Sequence, residues 1–468
     1  MAVKYSKFGI DANQPIDQAG NIAPRLQNPD YLANTGAHWV RLNFVLFNPS
    51  QLARYDQIVN GLLSRNFKIY ATVGQDAVAD IPMGDALRDS NSTTAATWIQ
   101  RYAARVTQIV DRYRGKIFVY EAVNEPNGWH GGSKALVHPR WFAYLMNTLY
   151  QLIRPRERGM RLISGPLEAT YVNNNEAAIY LNSVYRAGNW AAADVPWDGV
   201  GYHLYVGERP DDPPGSDGSA RPEDIRQTYT LFLNQMWAVI QKYEPNTRKK
   251  LWVSEFGWAS ENGEDFQARL IPVGMEMLAK DDRVAMASLF CAEDFGRLYG
   301  LYTPGLTRPK QAFHVFRNLL VTNAPNRSPV VDFNEIEGPV QPPEEPGESF
   351  PWPTGPGRMR HPVQERAVIL LPPTDDGRWA RAALAAGLTG PKGVTFTWSP
   401  GEAGLTIAGE KRLVLVINPA EWGTPDGSMV PWFRQNTPGV LVREQTFAAP
   451  DDFTAWLRGV SNPFEGAQ

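Results

Sequence analysis

The chain has 468 residues, 43% hydrophobic and 20% charged, with a formal net charge of -3. That composition belongs to a globular chain long enough for one large domain and a smaller one. The balanced charge excludes the basic footprint of a nucleic-acid or anionic-membrane binder and suits a neutral or weakly charged partner.

The single cysteine, Cys291, admits no internal disulfide. The N-terminus, MAVKYSKFGIDAN, lacks an apolar run of signal-peptide length. Both features fit a reducing compartment, with a removed leader as the other reading. No stretch reaches the roughly 18 apolar residues of a membrane span. The 15 tryptophans are a high count that serves either sugar stacking or core filling, and core filling is the simpler reading for most of them.

Short apolar runs alternate with longer helical patterns from residue 8 to about 320. The run Phe8–Ala12 opens the series. Strand Trp39–Phe44 precedes a helix over Ser50–Arg65, whose Leu52, Tyr55, Ile58, Val59, Leu62 and Leu63 share one stripe. Strand Lys68–Val73 leads to a helix over Thr94–Tyr113, striped by Trp98, Ile99, Tyr102, Val106, Ile109 and Val110. Strand Ile117–Asn124 and helix Trp141–Ile153 follow, then strand Arg161–Gly165 and helix Asn175–Ala187. Strand Gly199–Tyr205 is separated by the polar insertion GERPDDPPGSDGSARPED from helix Pro222–Tyr243. Strand Leu251–Phe256, helix Phe266–Ala279, strand Met286–Asp294 and helix Lys310–Val321 complete eight alternations. This pattern predicts a closed (β/α)8 barrel over residues 1–325, with an open doubly wound sheet as the plainer alternative.

From residue 326 to 363 proline and glycine dominate, and the segment reads as a semi-rigid linker. Residues 364–468 then read as a small α/β domain. Its expected strands are Arg366–Leu371, Val394–Trp398, Arg412–Ile417 and Val440–Glu444, with helical stretches at Gly377–Ala386, Gly401–Ile407 and Asp451–Val460. Trp422 and Trp432 are contact or core aromatics there. The domain leaves a glycan or protein contact open as its role.

Two carboxylates stand out. Glu125 lies at the end of the fourth predicted strand in FVYEAVNEP, and Glu255 at the end of the seventh in LWVSEFGW. Strand C-terminal ends of a barrel converge on one face, so two glutamates remote in sequence can meet there. Glycoside hydrolysis needs such a pair, one protonated and one ionised. No HExxH, GxSxG or Gly-rich phosphate loop is present, and the six histidines are scattered, so no metal or cofactor is expected.

The motifs Asn124-Glu125-Pro126-Asn127 and Ser254-Glu255-Phe256-Gly257-Trp258 resemble those of clan A glycoside hydrolases, family 5-like and family 39-like, over residues 8–320. The resemblance implies a retaining glycosidase acting on β-linked saccharides, with Glu125 as acid/base and Glu255 as nucleophile. It implies that Arg41 orients the nucleophile and that Asn124 bonds the sugar 2-hydroxyl. It further implies that Tyr205 touches the nucleophile while His203 sits near the acid/base. The i, i+2 spacing of His203 and Tyr205 independently puts both on one strand face. A strand-end salt bridge for Arg41, a loop-capping amide for Asn124 and a buried satisfied His203 are the structural alternatives. Trp129 is either a stacking platform or a loop pin, and Trp258 is a similar case. The eighth strand, MASLFCAEDF, lacks the tryptophan many clan members place there. It leaves Glu293 as a candidate for binding a hydroxyl pair or an amino or N-acetyl group, or as a structural partner for Arg41. A catalytically inactive carbohydrate-binding barrel, or a cell-wall-glycan hydrolase anchored by the C-terminal domain, are the rival functions.

Overall fold

The computed structural model describes residues 4–81, 83–128, 137–156, 159–169, 176–206, 221–337, 366–372, 378–379, 382–383, 394–397, 412–422, 427–436 and 441–459. The chain divides into two units, the first extending to Val340 and the second beginning at Gln341.

In the first unit the described residues form eight barrel strands. These are β1 (Phe8–Asp11), β2 (Trp39–Asn43), β3 (Lys68–Thr72) and β4 (Val119–Glu121), followed by β5 (Arg161–Ile163), β6 (Gly199–His203), β7 (Lys250–Phe256) and β8 (Val284–Leu289). They pair in parallel in the order β5-β4-β3-β2-β1-β8-β7-β6. Ile163 of β5 pairs with Gly199 of β6 and closes the cylinder. The expected (β/α)8 barrel is therefore the fold. Its strands are buried along nearly their whole length, which is why they read as continuous apolar runs rather than alternating ones. The helices bury the stripes read from sequence. Ala95–Arg112, for example, hides Trp98, Ile99, Tyr102, Val106, Ile109 and Val110.

Side chains two apart along a strand share a face, so the barrel interior fills in layers. The N-terminal layer is apolar and aromatic: Trp39, Tyr70, Val119, Ile163, Trp252 and Met286. Trp252 meets Trp39 edge-on at 5.9 Å and stacks on Tyr70 at 5.7 Å. Two residues further along the same strands the layer turns polar, with Arg41, Thr72, Glu121 and Ser254, all buried. An alanine Cβ at Gly201 would meet the Ser164 carbonyl oxygen at 2.6 Å and Glu121 Oε1 at 2.8 Å. The backbone of Ser164 and Pro166 restricts that position to glycine, and the Glu121 carboxylate shares the same space.

The reading of residues 326–363 as linker requires correction at its start. Val331, Phe333 and Ile336 pack against the aromatic layer, and Phe333–Glu337 is a short helix. The Arg161 guanidinium lies 4.2 Å from the Phe333 ring centre and pairs with Glu337 at 2.6 Å. The apolar residues at 333 and 336 have a layer to cover, and this outweighs the proline-rich composition. Residues 338–365 lie outside the described residues.

The second unit contains β9 (Arg366–Leu370), β10 (Val394–Thr397), β11 (Arg412–Ile417) and β12 (Leu441–Gln445), parallel in the order β10-β9-β11-β12. Alternate residues feed two cores. Ile369, Leu371, Leu415 and Ile417 pack with Trp379, Phe453 and Leu457, whereas Leu370, Val414 and Val416 pack with Met429 and Phe433. Trp422 and Trp432 lie half-buried against the latter core, and Trp432 belongs to a helix, Val430–Asn436, that sequence periodicity did not reveal. The expected helix over Gly401–Ile407 lies outside the described residues.

Replacing Phe333 and Ile336 together by alanine in the full chain is expected to lower barrel stability by about 2–4 kcal/mol, the range for truncating packed apolar side chains. Urea unfolding followed by tryptophan fluorescence measures it. An unchanged midpoint for the first unit would return residues 326–337 to the linker.

Candidate active site

At the C-terminal end of the barrel, chain segments from five strands bring charged side chains into one buried cluster. Arg41 is its centre. The residue lies on β2 two positions beyond Trp39, so its side chain continues the inward face. Its Nη1 donates to Asp11 Oδ2 and to Glu255 Oε1, each at 2.5 Å. Its Nη2 donates to Asn124 Oδ1 at 2.9 Å and lies 3.4 Å from Glu121 Oε2. Burial by itself disfavours the guanidinium charge, but the carboxylates of Glu255, Asp11 and Glu121 outweigh it and hold the Arg41 pKa well above its ordinary value.

Glu255 lies near the end of β7, next to Ser254. The β6–β7 register shifts between Tyr202 and His203, so His203 pairs with Glu255 rather than with Ser254. This irregularity lets two consecutive residues contribute to the interior: Ser254 donates to Glu121 while Glu255 meets Arg41. The second carboxylate oxygen of Glu255 accepts from the Tyr205 hydroxyl at 2.6 Å. Both oxygens are thus held, one by a cation and one by a hydroxyl, and both donors favour the ionised form.

Glu125 sits differently. The fourth strand ends at Glu121, four residues earlier than the acid, so Glu125 stands on the following loop rather than on the strand end. Its φ of 44° is left-handed, a conformation that costs a non-glycine residue on the order of 1 kcal/mol and recurs at functional sites. The turn is closed by the Gly128 amide donating to the Glu125 carbonyl at 2.9 Å. The carboxylate then reaches His203 Nδ1 at 2.8 Å, while His203 Nε2 lies 3.5 Å from Glu255 Oε1. Carboxylate oxygens of Glu125 and Glu255 and a ring nitrogen of His203 all fall within 4.8 Å of one another. These three are the donors among the described residues that could approach a cation together. The adjoining positive charge, however, is already supplied by Arg41, and both ring nitrogens of His203 face carboxylates.

The structure therefore gathers Glu125, Glu255, Arg41, Asn124, His203 and Tyr205. It does not bring in Trp258, which needs correction as a substrate contact. Its indole is fully buried, donates to the Val206 carbonyl at 2.9 Å and stacks on Tyr229. Glu293 is likewise corrected to the structural alternative, though with another arginine than Arg41. Its carboxylate pairs with Arg25 at 2.8 Å and accepts from the Gly305 amide at 2.6 Å, pinning the loop after β8. Trp129 lies outside the described residues. Beyond β8, Phe290 packs edge-on against Tyr205 at 6.3 Å and Tyr299 at 5.4 Å. Cys291 beside it is buried, which pushes its thiol pKa well up, with the nearby Asp11 carboxylate adding to the shift.

Sequence reasoning missed Asp11 and Glu121. Both were visible as acids at the ends of strands, in FGID and FVYEA, and Glu121 even lay inside the quoted motif. Four hydrogen-bond donors surround Glu121: Tyr70 and Ser254 at 2.7 Å on Oε1, Thr72 at 3.0 Å and Arg41 at 3.4 Å on Oε2.

Fold and site together define a parallel (β/α)8 barrel with a buried, arginine-centred carboxylate cluster at its C-terminal mouth. No protein-family model and no curated protein matches the chain. Among solved structures it is similar to a family 39 glycoside hydrolase from the gut symbiont Bacteroides cellulosilyticus WH2, at 13% identity over 67% of this chain and 63% of that one, with a TM-score of 0.46. It is also similar to a GH5-4 broad specificity endoglucanase from Clostridium acetobutylicum, at 16% identity over 68% and 98% of the two chains, TM-score 0.49. A beta-glucosidase from Thermotoga maritima matches at 14% identity over 64% and 86%, TM-score 0.47. The chain thus spans less than two thirds of the length of the first of these.

Removing one partner of a buried ion pair costs about 3–5 kcal/mol. Arg41→Met is expected to lose that much at neutral pH, because Asp11, Glu121 and Glu255 are left buried without their cation. Carboxyl groups whose folded pKa is raised bind protons more tightly in the native state, so the deficit shrinks as pH falls. Urea unfolding of both proteins at neutral and mildly acidic pH checks this. A deficit independent of pH would contradict the charge account.

Proposed function

We propose that this protein is a retaining glycoside hydrolase acting on β-linked saccharides, with Glu255 as nucleophile and Glu125 as acid/base. The observation that carries the reading is the pairing of two buried carboxylates, oxygens within 4.8 Å, in unlike surroundings at the barrel mouth. Retaining enzymes keep their carboxyl groups about 5–5.5 Å apart, whereas inverting ones leave about 6.5–9.5 Å for a water.

In the first step a Glu255 oxygen attacks the anomeric carbon as the glycosidic C–O bond breaks. Glu125 gives its proton to the departing oxygen. In the second step Glu125, now a carboxylate, takes a proton from water whose oxygen attacks the same carbon, and the ester to Glu255 breaks. Arg41 and Tyr205 hold the two Glu255 oxygens, which suits a group that must stay ionised. Glu125 faces His203 instead of a permanent cation, which suits a group that must carry a proton and then reclaim one. Because Arg41 holds the Asn124 amide oxygen, the amide nitrogen is the end that donates to a sugar hydroxyl. The half-buried Phe290 ring beside Tyr205 is the apolar group that adjoins the nucleophile's hydroxyl partner, and we assign it as a sugar-facing wall of the site.

A catalytically inactive binding barrel would need neither the paired glutamates nor the buried arginine between Asp11 and Glu255. The wall-lytic alternative rests on the second unit alone, and no residue-level feature of the cluster selects it.

Glu255→Ala is expected to lower turnover of the best p-nitrophenyl β-glycoside in a panel by about 10⁴-fold. Sodium azide, entering the vacated space, restores part of it as glycosyl azide. Normal folding with undiminished turnover would refute the nucleophile role. Glu125→Gln is expected to lose about 10²–10⁴-fold on poor leaving groups and much less on dinitrophenyl glycosides, which leave without a proton. Equal loss on both would reject the acid/base role.

A further inference from the structure

The geometry points to Glu121 as a positioning residue: a buried carboxylate that holds and partly neutralises Arg41, and through it sets how strongly Glu255 is held as an anion. This rests on the reading of Glu255 as nucleophile and extends it to a residue that touches no substrate.

Glu121 is fully buried inside the barrel. A glutamate there without a task is expensive, since a buried charge is costly unless paired and fully hydrogen-bonded. The fold nevertheless makes room for it. Gly201 on β6 has no Cβ where one would meet Glu121 Oε1 at 2.8 Å, in a space also bounded by the Ser164 carbonyl oxygen at 2.6 Å. Tyr70 and Thr72 of β3 and Ser254 of β7 all donate hydroxyls to it. Three hydroxyls and one guanidinium supply four donors for two oxygens, the complement of an ionised carboxylate, which only accepts. Oε2 faces Arg41 Nη2, on the opposite edge of the guanidinium tip from the Nη1 that holds Glu255.

One positive charge is thereby shared by Asp11, Glu121 and Glu255. In a low-dielectric interior the negative charge of Glu121 weakens the pull of Arg41 on Glu255. Burial raises the Glu121 pKa, and Arg41, Ser254, Tyr70 and Thr72 oppose the rise. The charged and titratable groups facing Glu255 are Arg41 on β2, Asp11 on β1 through Arg41, His203 and Tyr205 at the end of β6, and Glu125 on the loop after β4. Cys291 after β8 adds a thiol that stays protonated. Those facing Glu121 are Arg41 and Tyr70, with Tyr102 further out.

Glu121→Gln tests the proposal in the full chain. A glutamine can turn its amide nitrogen toward Tyr70 and Ser254, whose hydroxyls rotate to accept, and keep its oxygen toward Arg41. Packing is retained and only the charge is lost. With side-chain-carboxyl ¹³C-labelled glutamate, and Glu255 assigned by its loss in Glu255→Gln, the Glu255 carboxyl is expected to titrate about one pH unit lower than in the unsubstituted protein. Thr72→Val, which removes a hydroxyl from the same oxygen that faces Arg41 and leaves more of the Glu121 charge to the guanidinium, moves it the opposite way and by less. This second variant serves if the first does not fold. A Glu255 titration unchanged in a folded variant overturns the proposal, since a merely structural role would lower stability without moving that titration. Trapping with activated 2-deoxy-2-fluoro-glycosides separates the two readings. A label on another residue refutes the nucleophile assignment. A label on Glu255 with no shift in Glu121→Gln refutes only the positioning role.

Discussion

The arrangement depends on one buried cation shared among acids. Arg41 meets Asp11 and Glu255 through one terminal nitrogen and Asn124 and Glu121 through the other. Without that charge, three carboxylates would face one another inside a barrel, where neither water nor distance screens them. With it, each acid has a fixed place, and the cluster becomes a rigid frame rather than a source of repulsion. His203 then extends the frame across the mouth, from Glu255 to Glu125.

The barrel supplies this frame through strand periodicity. An apolar layer of Trp39, Tyr70, Val119, Ile163, Trp252 and Met286 closes one end, and the segment around Phe333 and Ile336 covers it. The next inward positions on the same strands are polar, so Trp39 is followed by Arg41, Tyr70 by Thr72, Val119 by Glu121 and Trp252 by Ser254. Rigidity below gives precision above. Two departures from regular geometry finish the site: the β6–β7 register shift that brings Glu255 opposite His203, and the left-handed Glu125 that turns its loop over the mouth.

The fold was legible because parallel strands buried on both faces write continuous apolar runs, and because amphipathic helices separate them. Glu125, Glu255, Arg41, Asn124, His203 and Tyr205 were legible because strand ends converge in a barrel, so proximity to a strand end translates into proximity in space. The same shortcut failed for Trp258. Three residues past Glu255 the chain has already turned outward, and nearness in sequence no longer implies the inner face. Glu293 failed for a related reason, since a carboxylate beyond a strand end is as free to pin its own loop as to face the cleft. Asp11 and Glu121 were overlooked because their importance lies in Arg41, a long-range partner that no local pattern announces. Residues 326–337 misled through composition, although the i, i+3 spacing of Phe333 and Ile336 carried the contrary signal.

The stereochemistry of the first-formed product is the most direct test of the central claim, two carboxylates facing each other across a sugar's width. Proton NMR during cleavage of a β-glycoside substrate follows the anomeric signal before mutarotation. The account predicts that the β-anomer accumulates first, as double displacement through Glu255 requires. Initial release of the α-anomer would mean a single displacement by water, and would contradict the close pairing of Glu125 and Glu255 on which the mechanism is built.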